Sequence, residues 1–560
     1  MSSALLAVIG AIWLAAAYKI YGGMIERKLV QPDAKAMTPA HSKFDGVDYQ
    51  PTKPIILFGH HFSSIAGAGP IVGPVAAALA FGWGAGILWI LVGVVFIGAV
   101  HDYLAVAISI RRNGRSISDT TRELVGKRSW LMFQIFVWFT LVLVIGVFIN
   151  VAAQSFIANP QIVLPAFALI PIAIFFGALV YRLKINILFS TLIALFLLAL
   201  SIYGGYYLPI EISGSPETVL NIWFIVLTFY SWLASVLPVW LLLQPRDYVA
   251  NWVLIVGMAL GFVGLIITDY PVTAPPFTGF ISKENGPLYP MLFILIACGA
   301  VSGFHSLVAS GTTSKQLDSE RHAKLIGYGA MLTEGIVALV ALLAVTAGLY
   351  WEGTAPLGSE QLVFQNIKGG PISAFGMGYG RFVAPFFSVA FGALIGVAML
   401  NTFVMTTLDT AARLTRFVTT ELCGEALPIF KNRYVASAVA VVPAYILGMS
   451  GGWKALWPMF AASNQMIAAL ALFVATVYLV GLKRPSGYTL YPALFMLVTT
   501  ISALVWQAYD NLAVKGNYFL GALSILLLTL AVIVSFDAVG AIKTLKRGFE
   551  YPKTEISPMH

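Results

Sequence analysis

The stretch Phe58–Pro74, FGHHFSSIAGAGPIVGP, lies inside an apolar run long enough to cross a membrane, yet cannot be helical throughout. Gly67 and Gly69 each cost about 1 kcal/mol in a helix interior. Pro70 lacks an N–H and clashes with the preceding turn, but suits the first turn of a new helix. One half-helix is therefore expected to end near Ser64–Gly67 and a second to begin near Pro70. Unwound backbone at membrane depth survives only where it is buried in protein or lines a cavity. The simplest alternative is a Pro/Gly kink used for packing. The clustering of His60, His61, Ser63 and Ser64 at the break argues for a ligand or ion site, as in transporters with discontinuous helices.

The rest of the chain agrees with a membrane setting. Of 560 residues, 59% are hydrophobic and 10% charged, against about 25% charged in a soluble domain. The net charge of +9 does not point to nucleic acid, because the basic residues are spread over short loops. Cys298 and Cys423 are too far apart in the expected topology to pair, so no disulfide framework is implied. Residues 2–18 lack a basic n-region and a cleavage site and are read as a retained span.

At about 20 apolar residues per crossing, an all-α bundle of fifteen spans is expected. They fall at 2–20, 55–81, 84–110, 130–154, 162–181, 185–207, 219–243, 249–269, 288–312, 325–350, 383–408, 434–450, 454–480, 488–509 and 517–539. With the N-terminus outside, Lys283, Lys368, Arg381, Lys454 and Lys515 alone among 33 Lys and Arg face outward. That satisfies the positive-inside rule and puts the C-terminus in the cytoplasm. No soluble domain is expected, since the longest loops, 23–53 and 351–381, are short and rich in Gly and Pro.

Counting 55–81 as core helix 1, the span 219–243 is core helix 6, and Pro238 is expected to break it beside Ser231 and Ser235. Two interrupted crossings five spans apart and oppositely oriented would make a LeuT-type 5+5 inverted repeat. The division is then 1–54 (extra helix and loop), 55–210 and 211–410 (the repeats), and 411–560 (four further helices). Core helix 8 carries GFHSLVASGTTS, residues 303–314, which echoes GHHFSSIAG, residues 59–67. That echo makes a seven-plus-seven repeat the rival; five plus five is preferred here.

The candidate substrate residues are Ser63, Ser64, Gly67, Gly69, Ser231, Trp232 and Ser235. The N–H groups of the second half-helix, Gly67–Val72, would face an anionic group such as a carboxylate. Asn150 and Gln154 are weaker candidates. For the coupling ion, Ser306, Ser310 and Thr313 share one helix face and would offer hard oxygens to a small cation. Serine and threonine bonding back to carbonyls one turn earlier is the competing explanation. His60, His61, His305 and Asp102 are candidates for proton relay, because ionisable groups in a membrane are costly. His101 and Glu334 are the other intramembrane ionisable groups. Lys184 is read as an interfacial lysine. A metal is not expected: His60 and His61 point about 100° apart on a helix and no Cys joins them. No cofactor beyond a proton or sodium ion is implied. No His-Glu-x-x-His or Walker motif occurs, so neither catalysis nor ATP-driven transport is expected.

Four segments resemble the carbon starvation protein A (CstA) family: residues 54–74, His101–Leu104, Ser231–Tyr248 and Gly303–Gln316. The likeness extends over at least residues 50–480. It implies uptake of peptides and pyruvate in carbon starvation, within the amino-acid/polyamine-type secondary transporters. The resulting expectation is a symporter of small carboxylate nutrients in the cell (inner) membrane. Its partners would be a small-molecule substrate and the lipid bilayer. The alternatives are an ion channel or a metal-binding membrane sensor; the latter would need an output domain.

Overall fold

The computed structural model describes residues 1–546 except 47, 125, 239–241, 357–358 and 368–369. The side chains of 181, 450–454, 538, 541–542 and 544–546 are likewise outside the described set. Arg547 and Lys553, counted above on the inner side, and Trp240 of the Pro238 segment lie outside the described residues.

The chain is helical almost throughout. In order come α1 (Ser3–Lys19), α2 (Pro54–Ile65), α3 (Gly69–Phe81), α4 (Trp83–Arg111), α5 (Lys127–Ala158), α6 (Pro160–Val180), α7 (Ile187–Tyr207), α8 (Pro216–Val236) and α9 (Leu243–Thr268). Then follow α10 (Leu288–Leu295), α11 (Gly303–Gly311), α12 (Glu320–Thr346), α13 (Gly370–Phe382), α14 (Val389–Cys423), α15 (Arg433–Gly481), α16 (Gly487–Val514) and α17 (Tyr518–Lys546). Among the described residues, 12 helices are long and apolar enough to cross a membrane, and the bent pair α2/α3 makes up to 13. This differs from the expected fifteen in two places. The crossing at 288–312 is split into α10 and α11, each too short to span. The spans at 434–450 and 454–480 lie within one 49-residue helix, α15.

The first break forms where the glycines and Pro70 demand it. Helix α2 ends at Ile65, α3 starts at Gly69 with Pro70 in its first turn, and the two are bent by 42°. Pro238, in contrast, does not break α8, which runs unbroken from Pro216 to Val236 and ends just before it. Proline does free the carbonyl four residues back. That carbonyl, Ala234 O, accepts from Arg413 Nη2 at 3.1 Å, and Leu237 O accepts from the same nitrogen. Both carbonyls at this helix end are thus bonded by a side chain of α14.

The second break is instead at 296–302, between α10 and α11. It lies in expected core helix 8, seven expected spans after the first, and not in core helix 6. The two breaks touch. A Cβ added at Gly299 would sit 3.3 Å from Pro70 Cα, and one at Gly73 would sit 3.3 Å from Ile296 Cα. A Cβ at Gly69 would strike Cys298. Only glycine allows backbones to approach so closely.

Candidate functional site

Each break is braced from a neighbouring long helix. Thr407 of α14 donates to Ser64 O at 3.3 Å, taking a carbonyl that the end of α2 leaves free. Thr410, one turn on, donates to Ser64 Oγ at 3.4 Å. At the second break, Asn464 Oδ1 of α15 accepts from Phe304 N at 2.7 Å and so caps α11. Asn464 Nδ2 donates to Ser302 Oγ at 3.0 Å, and Gln465 Nε2 donates to Phe293 O at 2.6 Å.

Two buried ionic groups flank the breaks. The first gathers α4, α11 and α12. His305 Nδ1 lies 2.8 Å from Asp102 Oδ2, and His101 Nδ1 lies 2.7 Å from Asp102 Oδ1. Glu334 Oε2 is 3.2 Å from His305 Nε2 but off the line of a hydrogen bond, so neither Glu334 oxygen has a partner among the described residues. All four side chains are buried.

The second group joins α2, α8, α9 and α14. His60 Nδ1 lies 2.7 Å from Asp247 Oδ2, and Ser63 Oγ donates to Asp247 O at 2.9 Å. The Arg246 guanidinium pairs with Asp409 and donates to Tyr230 Oη, whose hydroxyl donates to Asp409 Oδ2. Arg246 and Asp409 are fully buried. Ion pairs at this depth are held by mutual attraction and hydrogen bonds against a large desolvation cost.

The expected site residues divide accordingly. Ser63 and Ser64 sit at the end of α2, the latter donating to His60 O at 2.8 Å. Gly67 and Gly69 are packed tight: a Cβ at Gly67 would lie 2.7 Å from the Phe148 ring and 2.8 Å from Thr407 Oγ1. Ser231 donates to Leu227 O at 2.7 Å, one residue from Tyr230. Ser235 bonds Ser437 Oγ at 2.9 Å and Ala412 O at 3.3 Å, between α8, α14 and α15. Trp232 is turned outward, its Nε1 donating to Tyr434 O at 3.2 Å and its ring stacked on Phe229. It is therefore not brought to the break.

His61 Nδ1 meets Thr313 Oγ1 at 2.8 Å, tying α2 to the end of α11. Ser306 donates to Gly303 O at 2.7 Å and Ser310 to Ser306 O at 2.6 Å, while Ser310 Oγ also accepts from Ile117 N. Both hydroxyls bond back within their own helix. Asn150 and Gln154 are linked at 3.2 Å. Gln154 lines an open pocket of about 280 Å³ between the end of α5 and the starts of α8 and α13, with Val72 and Ser155. A narrow cleft on another side reaches His60, Thr410, Arg413 and Lys315. Burial lowers the proton affinity of Lys315, which lies beyond the end of α11 and outside the crossings. No group of three or more His, Cys, Asp or Glu among the described residues is arranged to hold a metal ion.

Arg246, Asp247, Asp409 and Arg413 were not among the expected site residues. Arg246 was assigned to an inner loop. The expected span 383–408 stopped one residue short of Asp409, whereas α14 continues to Cys423. A charge test applied one turn further would have found them.

Touching interrupted crossings, enclosed by long helices and flanked by buried charges, define a multi-pass membrane transporter. Its fold is similar to that of a manganese transporter from Eremococcus coleocola, with a TM-score of 0.52 at 11% identity, covering 90% of this chain and 99% of that one. At such low identity the likeness shows the fold alone.

The chain belongs to the carbon starvation protein CstA family, whose model matches residues 2–363 and 354–503. It is 32% identical to the pyruvate/proton symporter BtsT of Escherichia coli, over 92% of this chain and 84% of that protein. It is also 32% identical to the peptide transporter CstA of Bacillus subtilis, over 94% of each chain, and to the peptide transporter CstA of E. coli, over 89% of this chain and 81% of that one. These relatives are transporters and not enzymes.

Proposed function

We propose that this protein is a secondary active importer that carries a small carboxylate nutrient, pyruvate or a short peptide, together with a proton. The reading places it in the cell (inner) membrane with its N-terminus outside and C-terminus in the cytoplasm. The two touching crossings would be the moving elements, each opening the Ser63–Gly69 region to one side in turn. Units beginning at α2/α3 and at α10/α11, an odd number of expected spans apart, would be inverted copies.

The observation that carries the reading is the group Asp102, His101, His305 and Glu334 beside the second break. Its carboxylates face imidazoles and no Lys or Arg within ion-pair distance among the described residues. The charge balance there can change by proton binding without displacing a fixed cation. A proton on Glu334 or His305 would be held out of water until a rearrangement of α11 exposes it. Sodium has less support, because the hydroxyls of Ser306 and Ser310 are already bonded within α11. The name of the E. coli proton symporter agrees with a proton.

The test is uptake of labelled pyruvate and labelled dialanine by proteoliposomes, with proton and sodium gradients imposed separately. Accumulation driven by the proton gradient alone is expected. Equal accumulation under sodium would overturn the coupling ion, and no uptake of either solute would overturn the substrate class.

A further inference from the structure

The open pocket at the end of α5 is roomy and neutral. Its volume is about 280 Å³, near the lower end of the roughly 300–1,000 Å³ of small-molecule sites. Gln154, Asn159 and Ser373 give it a polar wall, and Val72, Leu220 and Ile372 supply apolar surface. No Lys, Arg, His, Asp or Glu is among the described residues that line it. Glu217, which follows the lining residue Pro216 in the chain, is exposed and negative.

Donors and acceptors are left over on the polar wall. Gln154 Nε2 donates once, to Asn150 Oδ1 at 3.2 Å, so its Oε1 and second N–H have no partner among the described residues. Asn159 engages only its Nδ2, toward Ser155 O at 3.5 Å. Behind Ser155, whose Oγ donates to Asn401 Oδ1 at 3.1 Å, the buried Asn401 Nδ2 has no partner among the described residues.

The pocket also leads toward the first break. Val151 and Ala158 both line it, a stretch of about 10 Å along α5. Phe148 lies three residues below Val151 on the same face, and its ring packs against Gly67, where an added Cβ would lie 2.7 Å away. Val72 belongs to the opening of α3. One aromatic ring thus stands between this pocket and the unwound backbone, and in the orientation proposed above the pocket opens outward.

We infer that this pocket is an outer entry site for a short peptide, an assignment that rests on the importer reading given above and narrows it at this site to solutes carrying an amide. A carboxylate drawn out of water needs a cation or charge-assisted donors, and the lining has no cation to offer pyruvate. A peptide amide needs one donor and one acceptor, which the Gln154 side chain presents together. Asn159 and Ser373 extend that polar wall, while Val72, Leu220 and Ile372 meet the peptide side chains. The open mouth leaves the charged ends of the peptide in water.

The experiment is calorimetric titration of the purified full chain in lipid nanodiscs with dialanine, with the uncharged N-acetyl-alanine methylamide, and with pyruvate. Wild type is expected to bind dialanine and the capped amide within about tenfold of each other. Gln154→Leu is expected to weaken both about three- to tenfold, the loss of one or two neutral hydrogen bonds, and Gln154→Leu with Ser373→Ala to weaken both further. Pyruvate affinity should not change in either variant. Lys368, three residues before Pro371 in the chain, lies outside the described residues; Lys368→Gln is expected to alter none of the three affinities. Wild-type affinity for both amides in the double variant overturns the site, as does an equal loss of pyruvate. Binding of dialanine without the capped amide, or its loss in Lys368→Gln, overturns the neutral recognition and the site with it. If the wild type binds pyruvate but neither amide, as a pocket filled only by lipid would give, the entry site falls and the importer reading stands. If it binds none of the three, the importer reading falls and takes the entry site with it.

Discussion

Around Asp102 the carboxylates are faced by imidazoles; around Asp409 the carboxylate is faced by a guanidinium. Both groups are buried, and both bind neighbouring helices together. The difference is in what can leave. Imidazole as a side-chain type can carry or release a proton in the physiological range, and on the proposed reading the Asp102 group would use that property. A guanidinium stays protonated, so Arg246 keeps its charge throughout. On the proposed reading, proton handling would belong to the second break and structural work to the helices behind the first.

The largest effect should come from breaking the fixed pair. Asp409→Asn leaves Arg246 buried without a counter-ion and is expected to cost about 3–5 kcal/mol, read as a drop in the thermal midpoint of the detergent-solubilised protein. Asp102→Asn should cost less, about 1–3 kcal/mol, because it leaves no Lys or Arg buried without a counter-ion. Equal losses in both would erase the distinction. Gly69→Ala tests the place where the breaks meet. The added methyl strikes Cys298, for an expected loss of about 1–3 kcal/mol, partly recovered by Cys298→Gly. Trp232→Phe should be the mildest change: it removes one hydrogen bond to Tyr434 O, about 0.5–1.5 kcal/mol, and transport should persist.

The organising break at 65–69 was legible because glycine and proline act locally. The same logic misplaced the second break. Pro238 is a helix terminator when it sits at an end, and nothing local distinguishes an end from a midpoint in an apolar run. The true second break, 296–302, contains no proline and reads as a continuous apolar span. It is unwound where Asn464 caps α11 and Cys298 and Gly299 meet α3, contacts that only the folded chain supplies. The echo of residues 59–67 in 303–314 was the available signal, and it marked the correct crossing.

The histidines and Asp102 stand out because intramembrane charge is conspicuous in a sequence. His60 was expected as a relay, but its partner Asp247 was hidden in what read as a loop. Asp409 and Arg413 were missed because a span boundary is uncertain by several residues, and they lie one and five residues beyond the expected end at 408. Trp232 is a candidate substrate residue in the sequence, but its indole faces Tyr434 and Phe229. A helix turns each successive residue by 100°, so flanking Ser231 says little about where the indole points.

The central claim is that the group around Asp102 couples solute movement to protons. It is tested most directly by comparing driven uptake with counterflow in proteoliposomes carrying wild type or Asp102→Asn. In counterflow, labelled pyruvate exchanges with unlabelled pyruvate and no gradient is needed. The account predicts that Asp102→Asn retains counterflow within about threefold of wild type, while accumulation driven by a pH gradient falls to background, a loss of two orders of magnitude or about 2.7 kcal/mol of stored gradient. Wild-type accumulation by Asp102→Asn under the same pH gradient would contradict it.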